Sequence, residues 1–353
     1  MIKVLGLALY GPLAASNRYR LGQYVNGLNS MGIDLQIRHL LGDDYLRARF
    51  NGNALPIIPI LKDTLARFDD LWRQNNYDVV MLQCELMPLM PGWLERVLIR
   101  KPYIYDFDDA FYLKYRSRKK FMLSSLLGAK FDRVMEGAKI VTAGNHVLAD
   151  YARHHNVNTY DLPTVVDTMR YQPNIADRGG EIFTVGWIGS PSTAPYLREL
   201  IPPLRALGQE GAVRLIVIGG KAPEIHNVSV IEIAWHEHTE VDLINTFDVG
   251  VMPLPDNDWA RGKCAFKLIQ YMACAVPVIA SPVGANVDVV NKEVGILASS
   301  IHEWLEAFRS LRDNPSMRIN MGNAGRERVN KHYSLHHNLP MLADVIRSAA
   351  GKN

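Results

Sequence analysis

The chain has little that would tie it to a metal, a membrane or a nucleic acid. Its three cysteines, Cys84, Cys264 and Cys274, show no metal-ligand spacing and point to a reducing compartment. No window approaches about 18 uninterrupted apolar residues, so no segment is expected to span a bilayer. The apolar run Val4–Leu9 is too short for a secretion signal and ends in Tyr-Gly-Pro. A net charge of only +3 over 353 residues gives nucleic acid nothing to respond to. Low-complexity tracts and fixed-period repeats are also missing. These absences predict a cytoplasmic protein.

The residues present describe an ordinary globular interior, with 48% apolar and 21% charged. The length suits two domains of normal size. Short apolar segments alternate with helical patterns twice over. In the first half, strands are predicted at Lys3–Leu9, Asp34–Arg38, Val79–Gln83, Tyr103–Asp106 and Ile140–Thr142. Helices are expected near Arg18–Met31, Leu61–Gln74, Trp93–Ile99, Phe121–Glu136 and His146–His154. The second half restarts at Phe183–Ile188 and continues through Arg214–Ile218, Ser229–Ile233, Val249–Pro253 and Pro277–Ala280. Helical patterns at Ala194–Leu207 and Glu240–Phe247 lie between these strands. Such interleaving implies an α/β fold with parallel sheets covered on both faces. The expected division is a domain at 1–168, a second at 180–330, and a C-terminal helix at 331–353 that returns to the first. Asp161–Pro173 is the linker, followed by a polar stretch, Asn174–Gly180.

The stretch RGKCAFKLIQYMACAVPVIASPVG, Arg261–Gly284, is the most informative segment. Lys263 precedes a predicted helix and Lys267 sits in its first turn. A helix N-terminus is partly positive, so cations there are unfavourable unless an anion arrives. Arg261, Lys263, Lys267 and the backbone amides of Ala265 and Phe266 would together suit a diphosphate. Three solvated surface cations are the alternative.

Gln270–Gly284 resembles the E-A-M-A-x-G-x-P-V-V-A-S-x-x-G segment of glycosyltransferase family 4. The resemblance is clear over residues 183–300 and looser before the linker, where Asp161–Pro173 is similar to the family's interdomain element. It implies a GT-B fold, two Rossmann-like domains facing across a cleft, and a nucleotide-sugar donor. The family's segment opens with two glutamates eight positions apart. The second falls on Gln270, which can still hydrogen-bond a ribose diol, and the first falls on Gly262. The resemblance also places donor contacts at the turn containing Gly189 and Ser190, and the nucleotide base near Trp235. Trp235 is equally readable as packing between loop and sheet. His236 and His238 alternate like metal ligands but have no third partner, so surface histidines are the simpler reading.

Tyr105–Ala110 contributes Asp106, Asp108 and Asp109 at a strand end. Family members commonly place a histidine near this point, close to the donor hexose, so by region Asp108 and Asp109 are candidate catalytic carboxylates alongside Arg261 and Lys267. Capping of the next helix is their alternative role. Asp106-Phe-Asp108 also matches a D-x-D metal motif. In a GT-B protein cations and helix amides take that place, so neither metal nor other cofactor is expected. Ser16, Arg18 and Arg20 are candidates for binding an acceptor, although Ser16 or Asn17 could cap a helix instead. The basic run Lys114, Arg116, Arg118, Lys119 and Lys120 precedes Phe121-Met-Leu123 and would suit an anionic membrane surface.

The expectation is a retaining glycosyltransferase that moves a sugar from a nucleotide-sugar to a glycan or polyprenyl-phosphate-linked glycan, of the cell-surface polysaccharide type. It would be cytoplasmic, with peripheral attachment to the inner membrane face. A GT-B sugar-nucleotide epimerase and a non-catalytic glycan- or partner-binding paralogue are the alternatives.

Overall fold

A computed structural model describes residues 1–116, 125–174 and 180–352. The chain divides into two compact units. The first comprises Met1–Val165, Gly262–Cys264 and Asn338–Asn353; the second comprises Val166–Arg261 and Ala265–His337.

The first unit is built on a six-stranded parallel sheet: β1 (Ile2–Tyr10), β2 (Ile33–Leu41), β3 (Val79–Gln83), β4 (Tyr103–Phe107), β5 (Ile140–Ala143) and β6 (Thr159–Asp161). Their order is β2-β1-β3-β4-β5-β6. β3, β4 and β5 are buried at every residue, as strands covered on both faces must be. The second sheet contains β7 (Phe183–Ile188), β8 (Val213–Ile218), β9 (Ser229–Ile233), β10 (Val249–Met252), β11 (Val278–Ala280) and β12 (Gly295–Leu297). Its order is β12-β11-β10-β7-β8-β9. Trp187, Phe183, Leu197, Leu204, Phe308 and Trp304 belong to the core around it.

Both sheets reverse direction beside their first strand, between β1 and β3 in one and between β7 and β10 in the other. Ligands of open α/β sheets bind beyond the carboxyl ends of the strands at such a reversal. In the second unit that rule selects the loops after Ile188 and after Met252.

Some local expectations are corrected. β6 and β12 were not predicted from sequence; each has three residues and forms a sheet edge, too short to show a periodicity. The helix expected at Arg18–Met31 is broken into Ala15–Arg20 and Val25–Ser30 by a 3₁₀ turn at Gly22–Tyr24. Neither Ser16 nor Asn17 caps it: Ala14 is the N-cap, and Asn17 Nδ2 instead donates to Tyr10 O at 2.6 Å. The pattern at Phe121–Glu136 yields a helix at Lys130–Gly137, and its first residues lie outside the described ones. The last helix, Leu335–Ala349, joins the first unit from Asn338 onward. There Arg347 Nη2 donates to Met31 O at 3.3 Å and Lys352 pairs with Asp78 at 2.9 Å.

Candidate active site

In the second unit, β7 runs into Gly189 and Ser190. A β-carbon on Gly189 would lie 2.6 Å from the Trp187 ring and 2.7 Å from Lys267 Cε. Only glycine lets the turn lie directly against both side chains. Lys267 Nζ sits over the buried Trp187 ring, 5.3 Å from its centroid. This cation–π contact holds the Lys267 stem along the turn. Gly219, after β8, has φ +77°, and a β-carbon there would approach Gly189 O to 2.4 Å. Two predicted donor groups, Gly189 and Lys267, are therefore brought together at the β7–β10 reversal.

Lys267 is the second residue of the helix Phe266–Ala273. Its N-cap is Ala265, fully buried with φ +52° and ψ +20°, and no side chain caps the helix. A non-glycine residue in left-handed conformation costs of order 1–3 kcal/mol and persists only where its surroundings enforce it. The uncapped, partly positive helix end and the Lys267 ammonium are together suited to an anion.

The rest of the expected cation cluster is arranged differently. Arg261 is half exposed and pairs with Asp256 at 2.7 Å and Asp258 at 3.7 Å in its own loop. Lys263 belongs to the first unit, where its side chain is 13% exposed and its Nζ lies 3.3 Å from Asp109 Oδ2. Each cation thus already has a carboxylate partner, local in sequence for Arg261 and 154 residues away for Lys263.

Gln270 is buried, and its amide donates to the Tyr171 hydroxyl at 2.8 Å. Tyr171 in turn donates to Glu240 Oε1 at 2.7 Å. Glu240 also accepts from Arg170 at 2.7 Å and, through Oε2, from the Trp235 indole at 2.8 Å. Glu240 opens the helix Glu240–Asn245, where a carboxylate complements the helix dipole. This network orients both Gln270 and Trp235, and it leaves the Gln270 carbonyl as the group suited to accept a hydroxyl. The two readings of Trp235 converge, since its indole nitrogen is anchored while the side chain remains partly exposed. Glu240, Tyr171 and Arg170 were missed from sequence. Tyr171 and Arg170 lie in the linker element, which offered a signal that was read only as a boundary. His236 and His238 have ring centroids 5.6 Å apart, and no group of three metal-binding side chains occurs among the described residues.

In the first unit Arg20 is not available to an acceptor. It is 1% exposed and makes a two-pronged pair with Asp106, with Nε 3.0 Å from Oδ2 and Nη2 on Oδ1. Its remaining nitrogen donates to Leu162 O at 2.6 Å, and Asp106 also accepts from Thr142 at 2.7 Å. Both oxygens of Asp106 are therefore engaged, by Arg20 and Thr142. Arg18 Nη1 donates to Pro12 O and Leu13 O at 2.8 and 2.7 Å, bracing the loop after β1. Ser16 is partly exposed on the same helix.

Asp108 and Asp109 follow β4, and neither caps the next turn, Phe111–Leu113. Burial raises the Asp108 carboxyl from its ordinary 3.8 to about 7; Arg20 opposes this, and Asp109 and Asp106 add to it. Residues Gly262–Cys264 are pinned beside Asp108 and Asp109. Asn145 Oδ1 caps its helix through Leu148 N, while Nδ2 donates to Gly262 O at 3.0 Å and Lys263 O at 3.1 Å. Cys264 Sγ donates to Asp108 O at 3.1 Å. A β-carbon at Gly262 would lie 2.6 Å from Ala110 Cβ. A glutamate cannot enter without moving this loop, which accounts physically for glycine there.

Of the basic run, Lys114 pairs with the buried Glu85, and Arg116 pairs with Asp132 at 2.7 Å. Arg118, Lys119 and Lys120 lie outside the described residues.

Two parallel six-stranded sheets of this kind define the GT-B glycosyltransferase fold, and solved structures show it throughout the chain's length. HepE of Anabaena, in complex with UDP-glucose, matches with TM-score 0.70 and 14% identity, over 99% of this chain and 100% of that one. Sucrose-phosphate synthase of Thermosynechococcus elongatus gives 0.68 and 15%, covering 99% of each. WaaG, a glycosyltransferase involved in lipopolysaccharide biosynthesis, gives 0.67 and 13%, covering 98% and 99%. No curated protein matches the sequence. Residues 180–314, within the second unit, match the family described as Glycosyl transferases group 1.

Two outcomes are expected of the first unit. Arg20→Ala leaves Asp106 buried without its partner and should destabilise the protein by about 3–5 kcal/mol in urea unfolding. A loss near that of a surface arginine would contradict the arrangement. The raised Asp108 carboxyl means that, between about pH 4 and pH 7, the folded protein keeps a proton that the unfolded chain has released. Stability should therefore fall as pH rises through that window. Asp108→Asn should gain on wild type from pH 4.5 to pH 8 in denaturation midpoints. A constant difference would show that Asp108 does not titrate there.

Proposed function

We propose that the protein is a retaining glycosyltransferase of family 4 that uses a nucleotide-sugar donor. The observation that carries this reading is the meeting of the Gly189 turn, Lys267 and the uncapped helix Phe266–Ala273 at the β7–β10 reversal of the matched domain. The turn admits close approach of a diphosphate, and Lys267 with the amides of Ala265 and Phe266 neutralises charge on the leaving group. Arg261 and Lys263 contribute if the donor displaces them from Asp256 and Asp109. Gln270 accepts a ribose hydroxyl, and Trp235 lies along the base. A uridine nucleotide is the favoured donor because HepE has been crystallised with UDP and with UDP-glucose.

The acceptor is a hydroxyl of a glycan or a lipid-linked glycan, in polysaccharide biosynthesis. Asp108 and Asp109 in the first unit receive that hydroxyl, with Ser16 and Arg18 lining the loop after β1. In a retaining transfer on one face, the leaving phosphate oxygen takes the acceptor proton and no enzymic nucleophile is needed. The assigned location is the cytoplasm, peripheral to the membrane. The basic run Lys114–Lys120 is assigned to anionic lipid, and within it Lys114 and Arg116 also pair with Glu85 and Asp132.

Thermal shift against UDP-, GDP-, ADP- and CDP-sugars tests the donor assignment, because saturating binding to the folded state raises stability by RT ln(1 + [L]/Kd). Stabilisation by UDP-sugars is expected, and a response to none would overturn the reading. Lys267→Ala should weaken donor binding and slow transfer by about 1.5–3 kcal/mol, the size of a lost charge-assisted contact, with the fold intact. Unchanged kinetics would remove Lys267 from the site. We also propose that positive charge on the protein does the work of a metal here. Transfer should then survive exhaustive EDTA treatment. Loss restored by Mg²⁺ or Mn²⁺ would contradict that assignment.

A further inference from the structure

The helix Ile57–Arg73 of the first unit is inverted relative to an ordinary surface helix. Its buried residues are Arg67 and Leu71. Ile57, Ile58, Leu61, Leu65, Phe68 and Trp72 are instead 46–78% exposed. Arg67 fixes this rotation, because its guanidinium donates to Ala8 O at 2.7 Å and Arg38 O at 3.3 Å. Turning the apolar face inward would strip those carbonyls of their donor and carry a cation out of its socket. The apolar face is therefore held toward solvent by the fold itself. A contiguous face of this size is unusual on a monomer and marks an interaction surface.

Its spacing identifies the partner. Ile58, Leu61, Leu65, Phe68 and Trp72 recur at intervals of three, four, three and four, the a and d positions of a coiled coil. Lys62 and Asp69 occupy equivalent e positions, and both are exposed. The other flank carries Ile57, Thr64 and Leu71, with no charge. In an antiparallel pair of identical helices, e positions flank e positions, so Lys62 of each copy meets Asp69 of the other, twice by symmetry. A parallel pair would set Lys62 and Asp69 against the uncharged flank. Asp69 also pairs with Arg73 of its own helix, whose Nε lies 2.9 Å from both carboxylate oxygens, so Lys62 of the second copy shares the carboxylate with Arg73. An anionic bilayer is a poor match, since Asp63, Asp69 and Asp70 outnumber the exposed Lys62 and Arg73. We propose that this face associates with the same face of a second copy of the chain, as an antiparallel helix pair about a two-fold axis.

Sedimentation velocity of the full chain over a concentration series tests this. Wild type should shift from monomer to dimer mass as concentration rises. Leu65→Glu combined with Phe68→Glu should remain monomeric with an unchanged melting temperature, because both positions are solvent-exposed. Lys62→Asp and Asp69→Lys should each raise the dimer dissociation constant by roughly 3–10-fold, the effect of turning two exposed ion pairs into repulsions. The double reversal should restore it, which non-specific hydrophobic sticking cannot do. A wild type monomeric at all concentrations would overturn the proposal. Flotation of that monomer with phosphatidylcholine vesicles would then assign the face to lipid.

Discussion

The first unit depends on one buried ion pair. Arg20 reaches Asp106 across 86 residues of sequence and closes on Leu162 O as well. Asp106 is the penultimate residue of β4, Thr142 lies in β5, and Leu162 follows β6, so one guanidinium ties the carboxyl ends of three strands to the helix after β1. A pair this deep gains little net stability over an apolar substitute, because desolvation offsets most of the attraction. Its value is positional. It takes up the Asp106 charge and leaves Asp108, two residues on, partly buried beside carboxylates and raised to about 7 by desolvation.

In the second unit Glu240 plays the corresponding part. Its carboxylate receives Arg170, Tyr171 and Trp235, and through Tyr171 it sets the Gln270 amide. A glutamine at this position cannot bind a diol as a carboxylate does, with two acceptor oxygens. With its amide donor committed to Tyr171, the Gln270 carbonyl is oriented to act as a single acceptor. The negative charge that the family pattern would place at position 270 is instead held one layer back, on Glu240.

The strand skeleton was largely legible because buried parallel strands are short apolar runs bounded by turn residues. Val79–Gln83 and Phe183–Ile188, both buried throughout, show the same limits in sequence and structure. The three-residue edge strands β6 and β12 carry too few positions for any period to register. At the site, Gly189 and Lys267 were legible because a turn and a helix start are local features. The carboxylate partners of Arg20, Arg261 and Lys263 were not part of the sequence reading. A cation's role is decided by which carboxylate reaches it, and Asp106, Asp256 and Asp109 are assigned by the fold. The helix at Ile57–Arg73 carries a real apolar stripe, but Arg67 decides which side faces the sheet.

Gly262 shows how a missing catalytic-type residue can be a packing consequence. The loop Gly262–Cys264 is gripped by Asn145 from below and by Asp108 and Asp109 from the side, and any β-carbon at position 262 would meet Ala110. A glutamate there and this close packing are mutually exclusive. A loop with glutamate would stand away from Ala110, whereas glycine lets Lys263 settle onto Asp109. Position 262 carries no carboxylate, and the acidic groups of this region, Asp108 and Asp109, stand just beyond the strand end that the loop packs against. There desolvation makes Asp108 sensitive to pH near neutrality.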